Sequence, residues 1–365
     1  MSNYFNPVKV IQTDNWLFEL KKNIEELKIT KPFIVTSQGN KKRLVLNSIF
    51  NSKSIYSYVG SNPTFDDCND IIKYCKEQSF DGLIAIGGGS PMDLAKVALA
   101  HISLGKTDVF QLIDYKNNYP NTIPSIFIPT THGTGSEVTM WGTVWNMVEK
   151  KKYSISHIDL YPDVAILDGN LTLSLPLDIS IITVMDALSH SFEAIWNKNA
   201  NDFSTSFAID AITMILDSIN QFKKDPRNLD IRNKLMLASN KAGLAFSNTT
   251  TAAAHSISYP LTIHYGMPHG IASSISLLPL LDINRKHIKK HLDVICNYMG
   301  FTYNDLKERI KSIPQGIIPY TLDGWGIQKE QLSILAKKSF TKGRMENNIV
   351  QLSTFQIQSI LMDIF

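Results

Sequence analysis

Residues Ile84–Lys96 read IAIGGGSPMDLAK. A short apolar strand runs into Gly87-Gly88-Gly89-Ser90 and then directly into a helix, with Pro91 in its first turn. Glycines let backbone approach a phosphate closely, and the helix start offers unpaired N–H groups and a positive dipole end. The segment is therefore a candidate pyrophosphate cradle. It is neither the G-x-G-x-x-G fingerprint nor a P-loop, and alone it also suits a tight strand-to-helix turn. A second polar loop, PTTHGTGSE over Pro129–Glu137, also follows a strand. Its Thr130, Thr131, Thr134 and Ser136 suit phosphate oxygens or a ribose. Two such loops after neighbouring parallel strands would meet at one sheet edge and favour a dinucleotide.

The surrounding pattern supports such a sheet. Phe33–Thr36, Ser54–Val59, Leu83–Ile86 and Ser125–Ile128 read as strands. Lys41–Phe50, Asp66–Gln78 and Pro91–Ser103 read as helices between them. Alternation of this kind predicts a parallel sheet covered by helices on both faces. After Leu175-Pro176 the period becomes 3.6. Ile179–Ile195, Phe203–Phe222, Ile231–Ala245, Ala252–Ile263, His269–Leu281 and parts of Lys329–Phe365 read as helices. The expected organisation is an α/β dinucleotide-binding domain over residues 1–175 and an all-helical domain over 176–365.

Composition narrows the class further. The 365 residues are 44% hydrophobic and 19% charged, an ordinary globular balance that excludes a disordered or fibrous chain. Thirty-six Lys+Arg against 33 Asp+Glu leave a net charge of +3, which gives no electrostatic reason to expect nucleic acid or an anionic membrane. Three cysteines make no disulfide framework, and none has metal-site spacing. Met1–Val10 lacks the order of a secretory signal, and no apolar run approaches the ~20 residues of a membrane span. A soluble cytoplasmic protein is expected.

Cofactor choice is addressed by the first strand. In dinucleotide-binding sheets an acidic residue near the end of that strand holds the ribose 2′-OH and rejects a 2′-phosphate. Here the strand ends in Ser37-Gln38-Gly39, followed by Lys41, Lys42 and Arg43. Without a carboxylate there, NADPH is favoured over NADH, although the basic run also suits a solvated helix face.

The helical half carries a candidate metal constellation. Asp186 and His190 stand i,i+4 within MDALSHSFEA, on one helix face. His255 and His269 bracket HSISYPLTIHYGMPH, where Pro260 and Gly266-Met267-Pro268 would turn the chain. One carboxylate and three imidazoles would form a four-ligand site for Fe2+ or Zn2+. Any single histidine here equally suits a packed or surface imidazole.

Together, GGGSPMDLAK, PTTHGTGSE, DALSH and the His255/His269 pair ending in PHG resemble the iron-containing alcohol dehydrogenases (group III), across nearly the whole chain. The resemblance implies a dehydroquinate-synthase-like architecture, an N-terminal α/β domain followed by a helical metal-binding domain. It implies metal ligands Asp186, His190, His255 and His269. It implies cofactor contacts from Gly87, Gly88, Gly89, Ser90, Asp93, Thr130, Thr131, Thr134 and Lys152. Ser37 falls on the position that selects NAD when it is Asp. Where many members carry a further histidine for a proton relay, this chain has Tyr259. Where they carry a small residue after the threonine pair, it has His132, which would approach the nicotinamide or the substrate.

The implied reaction is metal-dependent, NAD(P)H-linked, reversible reduction of a small aldehyde to a primary alcohol. Water, or a relay through Tyr259, His264 or the ribose hydroxyl, would supply the proton. Trp141 and Trp145, just after the second cofactor loop, should line the substrate pocket. The runs TVWN, KKYS and ALSHSFEAIWNKNAN look like the branch that reduces phosphonoacetaldehyde to 2-hydroxyethylphosphonate, for which Lys150, Lys151 and Arg344 are candidate cations. Alternatives are a polyol- or glycerol-type dehydrogenase on the same fold and a non-catalytic cofactor-binding protein. Members of the family are often homodimers.

Overall fold

The computed structural model describes residues 3–58, 60–76, 78–113, 115 and 117–365. The chain forms two compact units. One comprises Asn6–Thr131 and Ser136–Thr172; the other comprises Leu173–Phe365, joined by the N-terminal residues through Phe5 and by His132–Gly135.

The first unit holds strands β1 (Lys9–Gln12), β2 (Pro32–Ser37), β3 (Ile55–Tyr58), β4 (Gly82–Gly87), β5 (Ser125–Pro129), β6 (Trp141–Asn146), β7 (Lys151–Ser156) and β8 (Val164–Leu167). Helices α1 (Trp16–Glu26), α2 (Gln38–Arg43), α3 (Phe65–Lys76), α4 (Gly89–Leu104) and α5 (Val109–Ile113) lie between them. Six strands form one sheet in the order β1-β8-β5-β4-β2-β3, every pair parallel. Successive side chains of a strand point to opposite faces. Phe33, Val35, Leu83, Ala85 and Phe127 join the layer of α3 and α4, while Ile34, Ile84, Ile86, Ile126 and Ile128 join that of Leu20 on α1. Every residue of β4 and β5 is buried, so these strands are continuous apolar runs rather than alternating ones.

Several elements depart from the sequence reading. Lys41–Phe50 is not one helix: α2 ends at Arg43, Val45 takes a left-handed φ of +49°, and a 3-10 turn follows. β1, α1, β8 and the β6–β7 hairpin were not anticipated. The hairpin lacks a glycine turn signal. Its corner is shaped instead by Asn146, whose Oδ1 accepts the backbone N–H of Val148 at 3.1 Å and of Glu149 at 3.0 Å. Val59, at the end of one expected strand, and Glu77, near the end of an expected helix, lie outside the described residues.

The second unit is built from α6 (Leu177–Ile195), α7 (Asp202–Lys224), α8 (Leu229–Thr249), α9 (Ala253–Tyr265), α10 (His269–Ser274), α11 (Leu277–Met299), α12 (Tyr303–Ser312), α13 (Leu332–Lys338) and α14 (Thr354–Asp363). The stretch expected as one helix over His269–Leu281 is two, α10 and the start of α11. Pro260 sits inside α9 without ending it; Gly266, at φ +66°, makes the turn. No helix among the described residues is long and apolar enough to cross a membrane.

Candidate dinucleotide crevice and candidate metal centre

The sheet order fixes one ligand position in the α/β unit. From β2 the chain proceeds to β3 on one side; from β4 it proceeds to β5 on the other. Ligands of open parallel sheets sit outside the carboxyl ends of the strands at such a reversal. The ends of β2, β4 and β5 carry Ser37, Gly87 and Pro129, in adjoining registers. Thr130 N–H donates to the Gly87 carbonyl at 2.9 Å, tying the two cofactor loops together. Buried Asn40 donates from Nδ2 to Thr130 Oγ1 at 3.3 Å. Gly88 is the N-cap of α4 and supplies no side-chain cap, and the first-turn amides of a helix have no intrahelical partner. A Cβ on Gly87 would stand 2.7 Å from the Pro91 ring, so this strand-to-helix corner requires glycine.

The predicted cofactor residues sort around this edge. Ser90 Oγ accepts the Asn62 backbone N–H at 3.1 Å. Asp93 lies one turn further along α4, where burial raises its carboxyl against the lowering influence of Lys96 and Lys152. Lys152 stands over the Trp145 ring, with Nζ 5.7 Å from the centroid, as the antiparallel register Trp145↔Lys152 requires. Ser37 caps α2, its Oγ accepting the Asn40 N–H at 3.1 Å. Trp145 is buried and held by a 2.8 Å bond from its N–H to the Pro63 carbonyl, while the Trp141 carbonyl accepts from Lys96.

Lys96 was not read from the sequence as a site residue. Its fully buried ammonium donates to Ser136 O at 2.8 Å, Ser136 Oγ at 3.0 Å, Thr139 Oγ1 at 3.0 Å and Trp141 O at 2.9 Å. It thereby anchors the segment that follows the second loop onto α4.

The loop itself divides. Thr130 and Thr131 stay with the sheet, but His132–Gly135 pack among the helices. A Cβ on Gly133 would meet the Thr183 carbonyl of α6 at 2.5 Å. His132, expected to approach the nicotinamide or substrate, is instead fully buried edge-on to Phe222, with ring centroids 6.2 Å apart. Neither ring nitrogen has a hydrogen-bond partner among the described residues. Burial and the nearby Arg232 push its pKa down to about 3.

The helical unit gathers the four predicted ligand residues. Asp186 and His190 share one face of α6, His255 comes from the first turn of α9, and His269 opens α10. Asp186 Oδ1 lies 4.0 Å from His190 Nε2, 3.6 Å from His255 Nε2 and 4.0 Å from His269 Nε2. Ligand atoms of Asp186, His255 and His269 all fall within 4.8 Å of one another. Gly270 lets α10 approach α6 this closely, since a Cβ there would sit 2.0 Å from the Ile182 carbonyl. The His190 ring stacks on Phe246 at 4.1 Å and on His255 at 4.6 Å.

Burial disfavours a charged Asp186, but the surrounding His190, His255 and His269 outweigh it and hold the carboxyl well below its usual range. Burial pushes His190 down to about 4. For His255 burial is outweighed by Glu193 and Asp186, which raise it to about 9.

The family models agree with this layout. The model described as iron-containing alcohol dehydrogenase matches residues 7–169, and the model of the Fe-containing alcohol dehydrogenase C-terminal region matches 180–365. The chain belongs to the iron-containing alcohol dehydrogenase family. It is 31% identical to long-chain-alcohol dehydrogenase 1 of Geobacillus thermodenitrificans, over 80% of this chain and 77% of that one. It is 26% identical to the sulfoacetaldehyde reductase of Bilophila wadsworthia, over 94% of both. Among solved structures, sulfoacetaldehyde reductase from Bifidobacterium kashiwanohense in complex with NAD+ superposes with a TM-score of 0.89 at 26% identity, covering 100% of this chain and 98% of that one.

As a member of the iron-containing alcohol dehydrogenase family, the chain is an enzyme, an NAD-dependent alcohol dehydrogenase or aldehyde reductase. Its residues fit a divalent metal on chemical grounds. Among the described residues the mutually close ligand atoms are those of Asp186, His255 and His269, with His190 Nε2 4.0 Å from Asp186 Oδ1; carboxylate and imidazole donors of this kind suit Fe2+ or Zn2+. His255 Nε2 is buried without a hydrogen-bond partner and faces that set.

Two supporting residues escaped the sequence reading. Ser273 donates its hydroxyl to Asp186 Oδ1 at 2.9 Å. Fully buried Glu193 accepts from the His255 backbone N–H at 3.1 Å and lies 2.5 Å from His255 Nδ1. Glu193 left one signal, a carboxylate in an otherwise apolar stretch, one turn beyond His190.

The two relay candidates separate. Buried Tyr259 lies one turn beyond His255 on α9. His264 is nine residues along the same helix, about 13 Å by helical rise. Its Nε2 sits 3.1 Å from Lys338 Nζ.

Proposed function

We propose that the enzyme reduces phosphonoacetaldehyde to 2-hydroxyethylphosphonate, with iron held by Asp186, His190, His255 and His269. The observation that carries the metal part is the buried Asp186 oxygen with three imidazole Nε2 atoms within 4.0 Å. Bound iron supplies Lewis acidity at the aldehyde oxygen, and the nicotinamide supplies hydride to the adjacent carbon. The chain's own residues hold the donor set, cradle the cofactor's pyrophosphate on Gly87–Ser90 and the α4 amides, and place Lys152 and Asp93 near the ribose. Tyr259 is the proposed proton donor, because His264 stands away from the cluster.

NADPH is the proposed reductant, supported by the absence of a carboxylate at Ser37. NADH is the second reading, supported by the neighbour solved with NAD+. Among the candidate phosphonate partners, Lys151 pairs with Glu149 at 3.5 Å and is 66% exposed at the hairpin tip beside exposed Lys150. Partly buried Arg344 is thus the preferred cation. Sulfoacetaldehyde is the second substrate reading, since two similar proteins carry that name. The intact donor set speaks against a non-catalytic cofactor-binding protein, and zinc would favour the polyol-type alternative. Small alcohols and aldehydes are the expected partners, and a cytoplasmic homodimer is the proposed form.

The test is oxidation of NADPH and NADH by iron-loaded enzyme with phosphonoacetaldehyde, sulfoacetaldehyde and butyraldehyde in parallel. A kcat/KM for the phosphonate at least about tenfold above the others, roughly 1.4 kcal/mol of selective stabilisation, supports the proposal. A sulfonate preference establishes the second reading. Equal rates on all three overturn anion recognition and leave a general aldehyde reductase.

A further inference from the structure

A carboxylate buried as completely as Glu193 is costly unless both oxygens are engaged. Both are, and both face one residue. Oε1 accepts the His255 backbone N–H, and Oε2 meets His255 Nδ1. The first of these bonds has a local reason. Helix α9 begins after Ala252, which has no side chain able to cap it, so the amide of His255 is among the four that such a helix start leaves without an intrahelical partner. Glu193, reaching across from α6, supplies the missing cap and places negative charge at the positive end of the α9 dipole.

The second bond sets the imidazole. In the short contact between Oε2 and the ring, the carboxylate oxygen is the acceptor and Nδ1 the donor. With Nδ1 engaged by Glu193, Nε2 is the nitrogen that a neutral His255 ring offers to a ligand, and it faces Asp186 Oδ1 from 3.6 Å. The opposite tautomer would set the Nδ1 lone pair against a carboxylate oxygen 2.5 Å away.

We propose that Glu193 is a positioning residue for the metal centre: by capping α9 and holding His255 in its Nδ1–H form, it presents Nε2 as a ligand. The inference rests on the metal reading of Asp186, His190, His255 and His269. Its hydrogen bonds go to His255, so its role is one of positioning.

Glu193→Gln is the discriminating variant. A neutral amide can accept one of the two bonds, but its N–H2 then opposes the other donor. Loss of such an outer partner costs about 10–100-fold in metal affinity. The expected result is that loss for Fe2+ and Zn2+, measured by competition with a fluorescent chelator, while NAD(P)H affinity stays unchanged. Equal metal affinity in the variant and the parent, including a case where only thermal stability drops, reduces Glu193 to a helix cap and overturns the proposal.

A second measurement needs no Glu193 variant. In Zn2+-loaded parent enzyme labelled with 15N-histidine, with His255 assigned by its loss in His255→Asn, the ring should show a protonated Nδ1 and a metal-shifted Nε2. A protonated Nε2 would overturn the assignment even if Glu193→Gln failed to fold. Failure of the parent to bind either metal is a different result, because it defeats the metal reading itself.

Discussion

In the α/β unit the groups proposed to meet a ligand are backbone amides, glycines and hydroxyls at strand ends, with charge at the margin from Asp93 and Lys152. In the helical unit they are ionisable side chains sunk among buried residues, with Asp186, His190 and His255 all nearly inaccessible. On that proposal the crevice would recognise its ligand through main-chain geometry that many sequences could supply, and the four-residue metal centre through particular side chains and the residues that aim them. Single substitutions should therefore be catastrophic at the second site and graded at the first.

The largest expected effect lies in the metal centre. Asp186→Asn replaces the charged oxygen around which the three imidazoles converge. Loss of several kcal/mol of Lewis-acid stabilisation corresponds to about a 10³-fold fall in kcat/KM. Metal content should fall with it, while NAD(P)H affinity, measured by fluorescence titration, should hold. A variant that keeps its iron and its rate would show that Asp186 is no ligand and would erase the contrast between the two sites.

The next prediction concerns the segment that leaves the sheet to pack among the helices. His132 has a pKa pushed down to about 3 by burial and Arg232, against an ordinary value of 6.5. Between those values the unfolded chain binds a proton that the folded one refuses, so stability falls as pH drops from about 6.5 toward 3. The slope is at most about 1.4 kcal/mol per pH unit for one such group. His132→Ala should be less stable near neutrality, because it leaves a cavity, yet lose less stability on acidification. Urea midpoints at pH 7 and pH 4 for both proteins measure this. Parallel losses in the two would mean that His132 is not the acid-sensitive group of this segment.

The contrast also explains what the sequence disclosed. β2, β4 and β5 were readable because a parallel strand covered on both faces must be a continuous apolar run. β1 was not, since as an edge strand it is mostly exposed and reads KVIQ. The hairpin was hidden because Asn146, rather than a glycine pair, makes its corner. Asp186 and His190 were visible together because i,i+4 spacing is local. His255 and His269 could be joined to them only through the turn at Gly266. Glu193 and Ser273 act across long sequence separations, on His255 and Asp186, and no local pattern announces such partners. His132 went astray because its loop belongs by sequence to the cofactor motif and by packing to the helices.

The smallest effect belongs to the crevice, at Ser37. The hydroxyl caps α2 by accepting the Asn40 N–H, and aspartate serves that capping role equally well. Ser37→Asp should therefore fold normally, with an unchanged melting temperature. The new carboxylate sits at the end of β2, where such sheets place the adenosine ribose, so it favours a 2′-hydroxyl and repels a 2′-phosphate. The ratio of kcat/KM for NADPH to that for NADH should fall about tenfold, equivalent to about 1.4 kcal/mol. Metal affinity should not move, because the substitution touches only the site made of backbone and hydroxyls. An unchanged ratio would mean that cofactor choice is read elsewhere, with the basic residues after Ser37 the first place to look.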